Sequence, residues 1–147
     1  MIKRRIYGCL FVLIICFIFF NSMLSRETSG AISQFVANIL GGGSGSGEQE
    51  HYFVRKMAHF VEFTMLGAVS CLFFDSSISN ARRRYTVVAL VGVSVPIIDE
   101  TIQIFSKRGP AIADALIDMA GYAFGTLTVV ALLLIVRRHF SGRENTE

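Results

Sequence analysis

"VRKMAHFVEF" (residues 54–63) is the stretch on which the reading of this chain turns. The apolar run it opens continues to Phe74 and reads as a membrane helix, yet Arg55, Lys56, His59 and Glu62 lie at or inside its first two turns. Three more apolar segments accompany it. Residues 6–24, 57–74, 85–105 and 112–136 each approach the roughly 20 residues needed to cross a bilayer. They account for a mean hydropathy of +0.54, too high for an ordinary soluble domain of 147 residues. The expected fold is all-α: a multi-pass bundle of four transmembrane helices.

Charge placement orients it. Lys3, Arg4 and Arg5 precede the first span, Arg82, Arg83 and Arg84 separate the second from the third, and Arg137 and Arg138 follow the fourth. Placing these clusters in the cytoplasm puts both termini inside, with nine of the fourteen Lys/Arg on that side. The net charge of +3 is thus a topology signal, and no nucleic-acid partner is expected. A basic start followed by apolar residues also resembles a signal peptide, but "NSMLSRE" after Phe20 offers no A-x-A-like cleavage site, so a retained helix is expected. Cys9, Cys16 and Cys71 all fall within spans and read as small packing residues, not a disulfide framework.

The chain divides into a first transmembrane helix (residues 1–24), an outer loop (25–54), a three-helix domain (54–136) and a cytoplasmic tail (137–147). In the loop, Ile32, Phe35, Val36, Ile39 and Leu40 recur at helical spacing, which suits a short amphipathic helix on the outer surface. The following "GGGSGSG" is compositionally a flexible linker; no Lys-Ser/Thr pair supports a P-loop. The connections "DSSISNARRR" and "SKRGPA" are short, so consecutive helices should be antiparallel neighbours. Pro96, inside the third span, removes one backbone hydrogen bond.

The intramembrane charges converge on this topology. Arg55, His59 and Glu62 share one face of the second helix near its outer end, at spacings of four and three. Asp99 and Gln103 share a face as the third helix leaves, with Glu100 beside them. Asp114, Asp118, Gly121 and Gly125 form one stripe where the fourth re-enters. An ionised side chain at the bilayer centre is unfavourable by roughly 2.5–3.5 kcal/mol, and less near the interface. Five carboxylates at one depth must therefore be paired, protonated or solvated. Arg55, Lys56, Lys107 and Arg108 are the partners available to them on that side. Buried ion pairs that merely tie helices together are a weak way to stabilise a bundle, so a functional polar pocket is favoured. The "GYAFG" stretch is a GxxxG match suited to close packing of the fourth helix through Gly121 and Gly125.

These residues resemble the VanZ-like family of bacterial integral membrane proteins. The family pattern is R-K-x-x-H-x-x-E-F, then D-E-x-x-Q, then R-x-x-S-x-x-D-x-x-x-N-x-x-G. Arg55, Lys56, His59, Glu62 and Phe63 match the first element, Asp99, Glu100 and Gln103 the second, and Arg108, Asp114 and Gly121 the third. Ala111 stands where Ser is usual and Asp118 where Asn is usual, the latter adding a negative charge to the pocket. The resemblance covers residues 54 to about 136; the first helix and the Gly/Ser loop contribute nothing specific to it. The resemblance implies a bacterial cytoplasmic-membrane protein of the cell envelope and, from the family's namesake, reduced susceptibility to teicoplanin-type glycopeptides.

Three functions follow. The first is a binding protein whose outer-facing pocket takes a membrane lipid or a lipid-linked envelope precursor. Arg55, Lys56 and Arg108 would meet anionic groups, and His59, Glu62, Gln103, Asp114 and Asp118 would accept or donate hydrogen bonds. The second is a membrane enzyme on the same substrate class, with His59 as general base, Glu62 or Glu100 as acid and Asp99 beside them. A divalent metal held by His59 and the carboxylates is a variant of it. The spacings match no standard metal motif, so no cofactor is expected. The third is a helix-packing scaffold without ligand. The oligomeric state is left open.

Overall fold

The computed structural model describes residues 2–24, 48–105 and 112–144. Four α-helices make up this region: α1 (Ile2–Met23), α2 (Glu48–Ser77), α3 (Ala81–Phe105) and α4 (Ile112–Glu144). All four are long and apolar enough to cross a membrane, and there is no strand among the described residues. The expected amphipathic segment and Gly/Ser linker lie outside the described residues, as do Lys107, Arg108, Gly109, Pro110 and Ala111. Two boundaries differ from expectation. α2 starts at Glu48, inside the expected loop. α4 runs on to Glu144, through most of the expected tail.

Neighbouring helices in sequence run antiparallel, but the closest pair is α2 with α4, which run parallel. Their register is visible along the whole seam: Lys56 meets Asp114, His59 meets Asp118, Thr126 Oγ1 donates to the Gly67 carbonyl at 3.3 Å, and Arg137 meets Asp75. Small residues permit this approach. A Cβ on Gly121 would lie 2.5 Å from the Phe60 carbonyl oxygen, and one on Gly125 or Gly67 would overlap the carbonyl of Thr64 or Tyr122. Without a side chain at these three places, the two backbones touch.

α3 and α1 complete the bundle. Tyr122 of α4 lies buried against Gly92 of α3 and donates its hydroxyl to the Val88 carbonyl at 2.8 Å. α1 stacks Phe11 on Phe73 and sets it edge-on to Phe74, with ring centroids 5.6 and 5.7 Å apart. Ile18, Phe63, Leu66, Val88, Val95 and Tyr122 form the core. Large apolar side chains such as Val12, Leu90, Leu127 and Ile135 are left exposed, the arrangement expected where lipid replaces water.

One end of the bundle is held by charge. Asp75 at the end of α2 accepts from Arg84 of α3 at 2.8 Å and from Arg137 of α4 at 2.9 Å. Asn80 caps α3 here, its side-chain oxygen accepting from the Arg83 amide at 2.9 Å. Arg84 is nearly buried and Arg137 is 56% exposed, so the two pairs are unequal. Asp75→Ala should lower stability by about 1–2 kcal/mol because it leaves the Arg84 guanidinium without its carboxylate. Arg137→Ala should cost less than about 0.5 kcal/mol, as exposed pairs do. Thermal unfolding in detergent separates the two; equal losses would contradict this division.

Candidate functional site

The opposite end of the bundle gathers the polar residues. α2 supplies Arg55, Lys56, His59 and Glu62 from its N-terminal half, at spacings that keep the last two on the face turned toward α1 and α4. α3 supplies Asp99, Glu100 and Gln103 after Pro96, which is fully buried and leaves the helix unbroken. α4 supplies Asp114 and Asp118 in its first two turns. Gly121 and Gly125 follow on the same stripe but belong to the seam, not to the site.

Two residues of α1 join them. Asn21 donates its side-chain amide to Glu62 Oε1 at 3.0 Å, and Ser22 donates its hydroxyl in a short hydrogen bond to Asp99 Oδ1. Gln103 donates to the other Asp99 oxygen at 2.8 Å, so a fully buried carboxylate is held from two helices. Nothing in the motifs of α2–α4 pointed to α1. The signal was there as an uncharged Asn-Ser pair ending an otherwise apolar run.

At the rim, Lys56 Nζ lies 2.9 Å from Asp114 Oδ1, both side chains about one-fifth exposed. Arg55, Lys56, His59, Asp114, Ile117 and Asp118 line a recess of about 10 Å³, room for one water-sized group. Below it His59 Nδ1 stands 3.6 Å from Asp118 Oδ1, beyond hydrogen-bonding distance. Asp118 is fully buried, and neither of its oxygens accepts a hydrogen bond from any described residue. The carboxylates of Asp99, Asp114, Glu100 and Glu62 are all near enough to repel a charge on it. One nitrogen of His59 and one oxygen each of Asp99 and Asp118 lie within 4.8 Å of one another. The site therefore joins residues of all four helices, with cations at its mouth and an imidazole and carboxylates beneath. Such an arrangement can hold a cation, pass protons, or grip an anionic group at its rim.

Comparison with known proteins agrees with the motifs and extends them. No curated protein and no solved structure is significantly similar to this chain. The VanZ/LLP1 family profile, however, matches residues 7–135. It begins within α1, so the expectation that the family likeness starts at residue 54 is corrected: the helix that carries Asn21 and Ser22 lies within the matched region. With nearly its whole length matched and four helices able to span a membrane, the chain belongs to the VanZ/LLP1 family of membrane proteins.

Proposed function

We propose that this is a multi-pass protein of the bacterial cytoplasmic membrane whose polar recess, under the outer leaflet, binds the anionic head of a membrane lipid or lipid-linked envelope precursor. The basic clusters at Lys3–Arg5, Arg82–Arg84 and Arg137–Arg138 all sit at the end away from the recess, which supports cytoplasmic termini and an outer-facing site. The observation that carries the binding role is the pairing of Arg55 and Lys56 at the mouth with a buried imidazole and carboxylate cluster beneath. Guanidinium and ammonium groups there suit phosphate or carboxylate oxygens arriving from the headgroup layer. A recess of about 10 Å³ admits the oxygen tip of such a group, not a whole sugar.

Native mass spectrometry of the protein released from detergent tests this. Wild type should retain an anionic lipid, and Arg55→Ala should lose most of it while keeping its helicity. Equal retention in both would refute the binding role. The finer expectation from the family, lowered teicoplanin susceptibility, follows the same residue: expression of wild type but not Arg55→Ala should raise the inhibitory concentration in a susceptible host.

A second function, a membrane enzyme acting on the same lipid class, is favoured by one observation: His59 faces Asp118 with Asp99 close by, at a depth where water is scarce. Product formation from the retained lipid, lost in His59→Ala, would distinguish it from binding alone.

A further inference from the structure

We infer that His59, Asp99 and Asp118 form a binding site for one divalent transition-metal ion of the Zn²⁺ or Mn²⁺ class. Three observations converge on it. First, the donors suit the ion: one imidazole nitrogen and two carboxylate oxygens, all within 4.8 Å of one another. Donor atoms about 2.1 Å from a tetrahedral ion stand roughly 3.4 Å apart. His59 Nδ1 and Asp118 Oδ1, 3.6 Å apart, already stand close to that spacing.

Second, Asp118 is fully buried in the cluster with no hydrogen bond to either oxygen from a described residue. A buried carboxylate without a donor is costly, and here Asp99, Asp114, Glu100 and Glu62 add repulsion. A cation between Asp118, Asp99 and His59 answers both problems. Third, Asp99 has the surroundings of a metal ligand. Ser22 and Gln103 each donate to one of its oxygens, which fixes its orientation as the outer partners of metal-ligating carboxylates do.

Three protein ligands leave an open position for an oxygen of water or of an anionic headgroup. The site stands whether or not a lipid is bound. In the family pattern an Asn occupies the position of Asp118, so the third ligand is particular to chains that carry Asp there.

The test uses the full chain in detergent, stripped with chelator and freed of any affinity tag, and adds Zn²⁺ or Co²⁺ alone. Wild type should bind one Zn²⁺ per chain by elemental analysis and calorimetry, and its unfolding midpoint should rise with Zn²⁺ concentration. Co²⁺ should give a visible ligand-field band. Asp118→Asn and His59→Gln should weaken binding at least about 100-fold, more than loss of an outer-shell partner does. Ser22→Ala should weaken it about 10-fold, and His139→Ala, at the far end of α4, not at all. Absence of stoichiometric metal and of a Co²⁺ band in wild type would overturn the site, and needs no variant to fold. So would full binding by folded Asp118→Asn. Lipid retention is read separately on the chelated protein, so failure here leaves the headgroup assignment to its own test.

Discussion

Gly125→Leu should lose about 3 kcal/mol of bundle stability, whereas Gly8→Ala should change it by less than about 0.5 kcal/mol. Both glycines are helical, and alanine itself favours a helix by about 1 kcal/mol over glycine. The difference lies in what the new atoms meet. At Gly125 a first carbon already overlaps the Thr64 carbonyl and stands 3.1 Å from the Ala68 amide nitrogen. These are backbone atoms of α2, which cannot rotate away, so α2 and α4 must separate along the seam that holds Lys56–Asp114, His59–Asp118 and Asp75–Arg137 together. Overpacking commonly costs about 1–3 kcal/mol, and a clash with backbone belongs at the top of that range. At Gly8 the obstacle is the tip of the Phe73 ring, 3.1 Å away, which can yield by a few tenths of an ångström. Thermal unfolding of both variants in one detergent decides it. A Gly125→Leu protein as stable as wild type would mean that the two backbones do not touch at Gly125.

The same seam shows what could be read beforehand. Intramembrane charge is costly enough that His59, Glu62, Asp99, Asp114 and Asp118 at one depth already implied a shared pocket, and the structure brings them together. Gly121 and Gly125 announced a close contact, but not with which helix. Sequence order favours consecutive neighbours, while the partner was decided by a second small residue, Gly67, and by bare carbonyls of α2 that leave no mark in a sequence. Asn21 and Ser22 are inconspicuous in the sequence for a related reason. Short uncharged side chains at the end of an apolar run cost little in the interface, so they stand out only once Glu62 and Asp99 are seen opposite them. Asp75 lay in what read as a polar turn, and its two arginines became partners only through the packing of α3 and α4 against α2.

Two buried carboxylates of the site should respond to substitution with opposite sign. Asp99→Ala should cost about 2–4 kcal/mol, because it strands the buried donors of Ser22 and Gln103, each worth about 1–3 kcal/mol when left unmet. Asp118→Asn, measured on chelated protein, should instead raise stability by about 1 kcal/mol. Asp118 has no hydrogen bond from a described residue to lose, and four other carboxylates lie close enough to repel it. The amide that replaces it has nearly the same shape, carries no charge, and offers two N–H donors to a surrounding rich in acceptors. The imidazole of His59, 3.6 Å away, offsets little of that repulsion, and removing a buried charge of this kind is a recognised route to higher stability, commonly at the expense of function. Parallel unfolding curves for wild type, Asp99→Ala and Asp118→Asn give both signs in one experiment. If Asp118→Asn unfolded as readily as Asp99→Ala, Asp118 would belong with Asp99 among the residues that hold the helices together. If it gains stability while losing metal, its charge serves a bound cation and not the bundle.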